Sequence, residues 1–354
     1  MTAESEVDVV VIGAGQAGLA TGYYLTRRTS LDVVLLDADP APGGAWQHMW
    51  ASLRAFSPAA YSSLPGWPMP ATAGYPTRDE VVAYLRAYAD RYDLPVRRPV
   101  RVTAVQRDGP RVLVTTDRGA WSARAVVSAT GTWTRPFRPH LGGRSFGGRQ
   151  VHAVDYDSPA AFAGRRVGVV GGGNSAAQIV ADLHPAAETT WFVRRPPRLL
   201  PDDVDGRALF DLATARWQAR QAGRPDPGGV GSLGDIVVTE AVRAARDRGA
   251  LTPQPLFTHL TERGAVGPDG REHPLDAVVW CTGFRPALDH LRPLGLRAAT
   301  GLIPVTGTRA TAEPRLWLVG YGDWTGDASA TLVGVGRTAR DTVAQLARTV
   351  EQLT

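Results

Sequence analysis

A strand, a glycine-rich loop and a helix follow one another at two places in this 354-residue chain. The apolar run Val9–Ile12 leads into Gly13-x-Gly15-x-x-Gly18, and the run Arg166–Val170 leads into Gly171-x-Gly173-x-x-Ala176. In this context the glycines let the backbone turn sharply and approach a pyrophosphate at the start of a helix. The repeat therefore predicts an α/β fold with two dinucleotide-binding, Rossmann-like domains, each a three-layer ββα unit.

The first loop carries the complete dinucleotide fingerprint. Gly13 allows the tight turn, Gly15 admits the pyrophosphate, and Gly18 lets the following helix pack against the strand. We assign Gln16, which lies within this loop, to the FAD site together with the three glycines. The helix N-terminus stabilises phosphates through its free N–H groups and its dipole. The next strand ends at Asp37, whose carboxylate is placed to accept hydrogen bonds from ribose hydroxyls.

The second unit differs from the first at the end of its second strand. Arg194 and Arg195 stand where the first unit has an acid, and a guanidinium pair binds the 2′-phosphate that a carboxylate would repel. We therefore predict an NADPH site that also uses the glycine loop, Asn174 and Ser175, although a solvated arginine pair is the alternative interpretation. One acidic and one arginine site together indicate firmly held FAD and exchanging NADPH.

The order of these segments predicts how the domains are arranged. The FAD-binding domain is discontinuous, with residues 1–157 and 273–354 on either side of an inserted NADPH-binding domain at 158–272. An apolar strand in the first part ends at Thr130-Gly131, which we assign to the FAD site. The Pro-rich stretch 196–235 predicts a lid-like insertion in the NADPH-binding domain, with a plain surface loop as the alternative.

Composition excludes several kinds of chemistry. The single cysteine, Cys281, rules out an internal disulfide or two-cysteine redox centre, and the absence of lysine rules out a lysine nucleophile. The seven histidines form no i, i+4 pair and no cluster with carboxylates, which predicts no metal site. A net charge of +5, spread along the chain, does not imply nucleic-acid binding. The acidic start and the lack of an unbroken apolar run of about 18 residues predict a cytoplasmic protein without stable membrane insertion.

Three motifs resemble those of the class B flavoprotein monooxygenases. Residues 146–156 match F-x-G-x-x-x-H-x-x-x-Y, Gly43-Gly-Ala-Trp46 matches Gly-Gly-x-Trp, and residues 276–284 match a strand followed by Thr-Gly and an aromatic residue. The terminal Tyr156 is similar to the flavin-containing branch, which oxygenates nitrogen and sulfur. The sequence is most like the arsenic-operon-associated (ArsO-type) flavin monooxygenases at 52–58, 64–70, 200–206 and 320–326.

This resemblance implies further residues at the FAD site. Gly44 and Trp46 would lie at the flavin, and Asp323 would meet the ribityl or pyrophosphate region. The helix start at Ala330 and Thr331 would face flavin N1 and O2, where the helix dipole favours the anionic reduced ring.

The activity implied by the resemblance is NADPH-dependent monooxygenation. Reduced FAD would form a C4a-(hydro)peroxyflavin with O₂ and oxygenate a soft nucleophile, a small sulfur, nitrogen or trivalent arsenic compound, with arsenic resistance as a setting. His48 and Ser57 are the candidates for a supporting catalytic role, with a surface position as the alternative for His48. Two other functions stay open: an NADPH oxidase or flavin reductase that serves a quinone or redox protein, and a non-catalytic flavin or nucleotide sensor. The oligomeric state also stays open, and a dimer is compatible with the sequence.

Overall fold

Apolar runs of the sequence form the buried strands of two largely parallel sheets in the computed structural model, which describes residues 5–141, 146–225 and 236–352. The strands are β1 (Ser5–Ile12), β2 (Val33–Leu36), β3 (Val96–Arg97), β4 (Val102–Asp108), β5 (Arg111–Thr116), β6 (Gly119–Ser128), β7 (Arg149–His152), β8 (Arg166–Val170), β9 (Glu188–Val193), β10 (Pro253–Pro255), β11 (His259–Leu260), β12 (Gly264–Val266), β13 (Glu272–Pro274), β14 (Ala277–Trp280), β15 (Val305–Thr306), β16 (Arg309–Ala310) and β17 (Leu316–Leu318). The helices are α1 (Gln16–Arg28), α2 (Arg78–Arg91), α3 (Asn174–Leu183), α4 (Gly206–Gln221), α5 (Glu240–Asp247) and α6 (Leu332–Gln352). Within these described ranges, no helix has the length and hydropathy needed to cross a membrane.

The first of two units contains Met1–Gln47, Pro58–Thr134 and Pro286–Thr354. Its sheet has the order β15-β16-β17-β6-β1-β2-β3, with β5 pairing to β6 and β4 to β5. Within it, β17, β6, β1, β2 and β3 run parallel to one another, whereas β16 and β5 pair antiparallel to β17 and β6. Because side chains alternate along a strand, Val9 and Val11 of β1 pack with α1, α2 and α6, whereas Val10 and Ile12 pack with β4 and β5. This unit therefore has the predicted three layers.

The second unit contains His48–Ser57 and Arg135–Arg285. Its parallel sheet has the order β10-β9-β8-β14-β7, and β11, β12 and β13 form a small separate sheet. The unit begins earlier and ends later than the predicted boundaries at 157/158 and 272/273, because β7 and β14 pair within its sheet. The predicted α/β fold with two Rossmann-like domains is confirmed.

The helices next to the predicted sites begin within a few residues of the positions predicted from the sequence. Helices α1 and α3 directly follow the two glycine loops, as expected. Helix α6 begins at Leu332 rather than at Ala330 and Thr331, and it continues to Gln352. Of the predicted lid-like insertion, α4 is described, whereas residues 226–235 lie outside the described residues.

Candidate functional site

Close backbone contacts shape the first glycine loop. Gly13 has a φ of +96°, and a Cβ there would lie 2.7 Å from the carbonyl oxygen of Ala129. A Cβ at Gly18 would overlap the carbonyl oxygen of Gly13. Gly15 is different, because a Cβ there would meet the Cα of Gly44 at 3.5 Å, an ordinary van der Waals distance. The protein itself therefore requires glycine at 13 and 18, but it has room for a methyl group at 15.

The start of α1 offers donors to an anion. Gly15 is its N-cap and, within the described part of the chain, no side chain caps the helix. The first N–H groups of a helix have no partners inside the helix, and they carry its positive partial charge. An uncapped N-terminus beside a tight glycine turn fits the pyrophosphate of FAD.

A side-chain network joins three of the residues predicted at FAD. The Gln16 amide donates from Nε2 to the carbonyl oxygen of Ala330 at 2.6 Å, and its Oε1 accepts from Trp46 Nε1 at 3.0 Å. Both bonds fix the orientation of the amide, since one end donates and the other accepts. The structure thus brings together segments that lie far apart in sequence. Thr331 and Asp323 lie on the same unit and are exposed.

Asp37 lies at the carboxyl end of β2, as predicted, but it has a partner that the sequence did not reveal. Arg98 Nε donates to Asp37 Oδ2 at 2.7 Å, and Arg98 also reaches the carbonyl oxygen of Ala14 at 3.4 Å. The two side chains are only 8% and 14% exposed. Burial raises the pKa of the Asp37 carboxyl, and Arg98 opposes that rise. Arg98 therefore compensates a buried carboxylate at the candidate ribose site.

Replacing Arg98 with glutamine should destabilise the protein by about 3 kcal/mol, because it leaves the Asp37 carboxylate buried without a counter-charge. The raised pKa of Asp37 sets the sign of the pH dependence: the penalty should grow as pH rises through that pKa and shrink in acid, where the carboxyl is protonated. Urea denaturation at several pH values measures it. Arg78→Gln is the control, because its partner Asp79 is 77% exposed and that pair contributes less than about 1 kcal/mol. Equal losses in the two variants would contradict the interpretation.

Thr130 closes a buried polar network at the carboxyl ends of β6 and β17. Its Oγ1 donates to the carbonyl oxygen of Ala287 at 2.8 Å and lies 2.8 Å from the Tyr321 hydroxyl. The same hydroxyl lies 2.7 Å from Ser128 Oγ, which in turn lies 3.1 Å from His290 Nε2. A Cβ at Gly13 would come within 3.3 Å of the Thr130 Cα, so this network adjoins the first glycine loop.

His290 gives the first unit a specific response to acid. Burial lowers the pKa of its imidazole from 6.5 to about 4, with Asp289 opposing and Arg297 reinforcing the shift. Between these pKa values the unfolded chain takes up a proton that the folded chain does not. The stability contributed by neutral His290 is therefore complete above about pH 6.5, and about 3 kcal/mol of it is lost as pH falls to about 4.

Urea denaturation of His290→Gln tests this response. The difference in unfolding free energy between wild type and the variant should fall by about 3 kcal/mol between about pH 7 and pH 4. His140→Gln, at an exposed site, is the matched control. A difference for His290→Gln that does not change with pH would contradict the assignment.

The second glycine loop is more open than the first. A Cβ at Gly173, the N-cap of α3, would have nothing within 4 Å among the described residues. Ser175 is exposed. Asn174 was predicted to face NADPH, but its Oδ1 accepts from the backbone N–H of Val237 at 2.9 Å, so it also has a structural role. Room at the loop and an uncapped helix start fit a dinucleotide phosphate.

The predicted arginine pair follows directly after β9. Arg194 and Arg195 are both exposed. A Cβ at Gly172 would lie 3.9 Å from the carbonyl oxygen of Arg195, so the end of β9 runs beside the second glycine loop. The backbone of Gly171, the first residue of that loop, abuts Cys281, whose buried thiol has a raised pKa. The structure thus brings the arginine pair and the loop to one edge of the sheet.

The two catalytic candidates lie together in one short segment. His48 is exposed and Ser57 is half-buried, and both belong to His48–Ser57, which packs within the second unit. A Cβ at Gly206, the first residue of α4, would lie 2.7 Å from the Cβ of Ser57. The structure therefore places both candidates in a different unit from the residues predicted to bind FAD.

Two Rossmann-like units, each with a glycine loop that leads into a helix N-terminus, are typical of an oxidoreductase that binds two dinucleotides. The chain belongs to the pyridine nucleotide-disulphide oxidoreductase family, which it matches over residues 10–204. An uncharacterized CzcO-like oxidoreductase of Geobacillus kaustophilus is 31% identical over 78% of this chain and 80% of its own length. An indole-3-pyruvate monooxygenase of Oryza sativa subsp. japonica is 27% identical over 87% of this chain and 83% of its length.

The solved structure of a flavin-containing monooxygenase from Stenotrophomonas maltophilia is more similar. It shares 50% identity and a TM-score of 0.89 over 97% of this chain and 99% of its own. The chain is therefore a flavin-monooxygenase-like oxidoreductase, an enzyme with the predicted cofactors FAD and NADPH. The family name includes disulphide chemistry, but a single cysteine cannot form the internal pair that such chemistry uses.

Proposed function

We propose that the chain is an NADPH-dependent FAD monooxygenase that oxygenates a soft nucleophile, namely a small sulfur, nitrogen or trivalent arsenic compound. The observation that carries the proposal is the 50% identity, over nearly the full length of both chains, to a flavin-containing monooxygenase. The single cysteine supports it, because it removes the dithiol acceptor and favours oxygen as the electron acceptor.

The first unit would hold FAD. The start of α1 would bind the pyrophosphate, Asp37 would accept from a ribose hydroxyl, and the Gln16 network would position Trp46 and Ala330 at the flavin. When bound and reduced by NADPH, the flavin supplies the electrons that activate O₂. The side chains around it need no covalent role; they orient the cofactor and keep water from the reacting groups.

The second unit would hold NADPH. The start of α3 would bind its pyrophosphate at Gly173 and Ser175, and Arg194 and Arg195 would bind the 2′-phosphate. The half-buried Ser57 and the exposed His48 would then contribute from the same unit, His48 as a proton donor or acceptor. The α4 region would serve as a lid over the nucleotide.

A carbonyl substrate is the second candidate. The rice relative is named for indole-3-pyruvate, a 2-oxo acid, and it aligns with 87% of this chain.

For a trivalent arsenic substrate, a site of three thiolates within one chain is excluded, because Cys281 is the sole cysteine. Such a substrate would have to be recognised through its shape and organic groups.

A product screen with the holoenzyme tests the proposal and separates the two candidates. NADPH consumption, O₂ uptake, H₂O₂ and ¹⁸O incorporation would be measured with a thioether, a tertiary amine, a trivalent arsenical, a ketone and a 2-oxo acid. We expect the thioether, amine or arsenical to raise NADPH consumption and to acquire one labelled oxygen. Oxygenation confined to the ketone or 2-oxo acid would select the second candidate.

Three other outcomes of the same screen would overturn monooxygenation. Complete conversion of NADPH electrons to H₂O₂ with every compound would identify an oxidase. Turnover that begins only when a quinone or redox protein is added would identify a reductase. The absence of steady NADPH consumption would identify a sensor.

A further inference from the structure

Hydrogen bonding at the carboxyl ends of β6 and β17 forms one continuous buried chain. It runs from His290 through Ser128 and Tyr321 to Thr130, and it ends at the carbonyl oxygen of Ala287. His290, Ser128 and Tyr321 are 7%, 0% and 8% exposed, so water does not compete freely for these bonds. All five residues belong to the first unit.

The last link determines the direction of every other link. A carbonyl oxygen can only accept, so the Thr130 hydroxyl must give its single hydrogen to Ala287. Tyr321 must then donate to Thr130, and Ser128 must donate to Tyr321. Ser128 has no hydrogen left for His290, so the Nε2 atom of His290 must carry a proton and donate it to Ser128.

We propose that this one-way chain makes the Thr130 hydroxyl an acceptor, never a donor, toward FAD. The group of FAD that Thr130 contacts is then a hydroxyl or N–H donor, such as a ribose or ribityl hydroxyl, and not a phosphate oxygen. The inference rests on the assignment of Thr130 to the FAD site. It adds a chemical constraint to that assignment, because a free threonine hydroxyl could meet either kind of group.

Tyr321 acts as a positioning residue in the same chain. Its phenol bonds Thr130, and its backbone N–H donates to Thr325 Oγ1 at 3.1 Å. Thr325 Oγ1 lies 2.9 Å from Ser329 Oγ, which donates to the carbonyl oxygen of Gly322 at 2.8 Å. Tyr321 therefore connects the residues that follow β6 to the loop that leads into α6. Both segments contain residues predicted to contact FAD.

The tautomer of His290 is the direct test of the chain's direction. Long-range ¹H–¹⁵N spectra of holoenzyme labelled with ¹⁵N-histidine would report it, with the His290 signals assigned by their loss in His290→Gln. We expect neutral His290 to be protonated at Nε2 at neutral pH. A neutral ring protonated at Nδ1 would reverse the chain and overturn the proposal, whatever the substrate of the enzyme proves to be.

FAD release from holoenzyme tests the positioning role of Tyr321. Tyr321→Phe removes the central hydroxyl, and Tyr88→Phe is the matched control, because the buried Tyr88 donates only to the carbonyl oxygen of Pro65 at 2.6 Å in the same unit. We expect Tyr321→Phe to release FAD about tenfold faster on dilution, since it leaves the Ser128 hydrogen without an acceptor and Thr130 without its donor. Tyr88→Phe should stay within about twofold of wild type. Equal release rates for the two variants would overturn the positioning role.

Substitutions at Thr130 complete the test. Thr130→Ser keeps the hydroxyl and should hold FAD as wild type does, whereas Thr130→Val keeps the shape but removes the acceptor, and it should release FAD about tenfold faster. Release rates that are alike for serine and valine would show that the hydroxyl faces no group of FAD. Because FAD release is read by fluorescence, these results do not depend on oxygenation.

Discussion

Replacing Gly15 with alanine should leave the protein folded but weaken FAD binding ten- to hundredfold. Among the described residues the methyl group meets only the Cα of Gly44, at 3.5 Å, and the φ of Gly15 is −75°, which alanine adopts without strain. The same methyl group would occupy the space through which the pyrophosphate of FAD approaches the start of α1. Overpacking of this kind costs about 1–3 kcal/mol, which corresponds to the expected loss of affinity. The ratio of flavin to protein absorbance after gel filtration would measure FAD retention, and circular dichroism would verify the fold.

Gly173→Ala is the matched control for this substitution. Gly173 is the N-cap of α3 as Gly15 is the N-cap of α1, and its Cβ would have open space around it in the described structure. This variant should retain FAD and raise the KM for NADPH by a similar factor. The two substitutions would then separate the two nucleotide sites. Full FAD occupancy in Gly15→Ala, or FAD loss in Gly173→Ala, would contradict the assignment of the loops.

The glycine loops and the strands around them could be predicted because their chemistry is local. A run such as Val9–Ile12 has no polar residue, so it must be buried on both faces of a parallel sheet. The glycine that follows it has a φ of +96°, which L side chains rarely adopt, and the turn is therefore visible in the sequence itself. Asp37 directly follows β2 in the first unit, and Arg194 directly follows β9 in the second. Both positions could be predicted because the apolar run of each strand ends at the residue before.

The side-chain networks could not be predicted because they depend on the packing of distant segments. Arg98 lies 61 residues from Asp37, and Ser128 lies 193 residues from Tyr321. Each of these residues is ordinary in its local sequence, and only the alignment of strand ends brings them together. The segment His48–Ser57 is a similar case, since its sequence adjoins Trp46 but its contacts lie in the second unit.

Removal of the arginine pair at the end of β9 should change the coenzyme preference. In Arg194→Ala/Arg195→Ala, the KM for NADPH should rise about 100-fold, because the 2′-phosphate loses charge-assisted hydrogen bonds that contribute about 1.5–3 kcal/mol each. The KM for NADH should stay within about twofold, since NADH has no phosphate at that position. The rise should diminish at high salt, where exposed charges are screened.

Arg165→Ala distinguishes recognition by this pair from a general effect of positive charge. Arg165 is exposed in the same unit, but it adjoins the amino end of β8, whereas Arg194 and Arg195 follow the carboxyl end of β9. Steady-state kinetics with both coenzymes should therefore show no change in preference for Arg165→Ala. If the double substitution raises the two KM values equally, the pair supports the fold or attracts anions in general. Its guanidinium groups would then not recognise the 2′-phosphate specifically. The arginine at the strand end would no longer distinguish the second nucleotide site from the first.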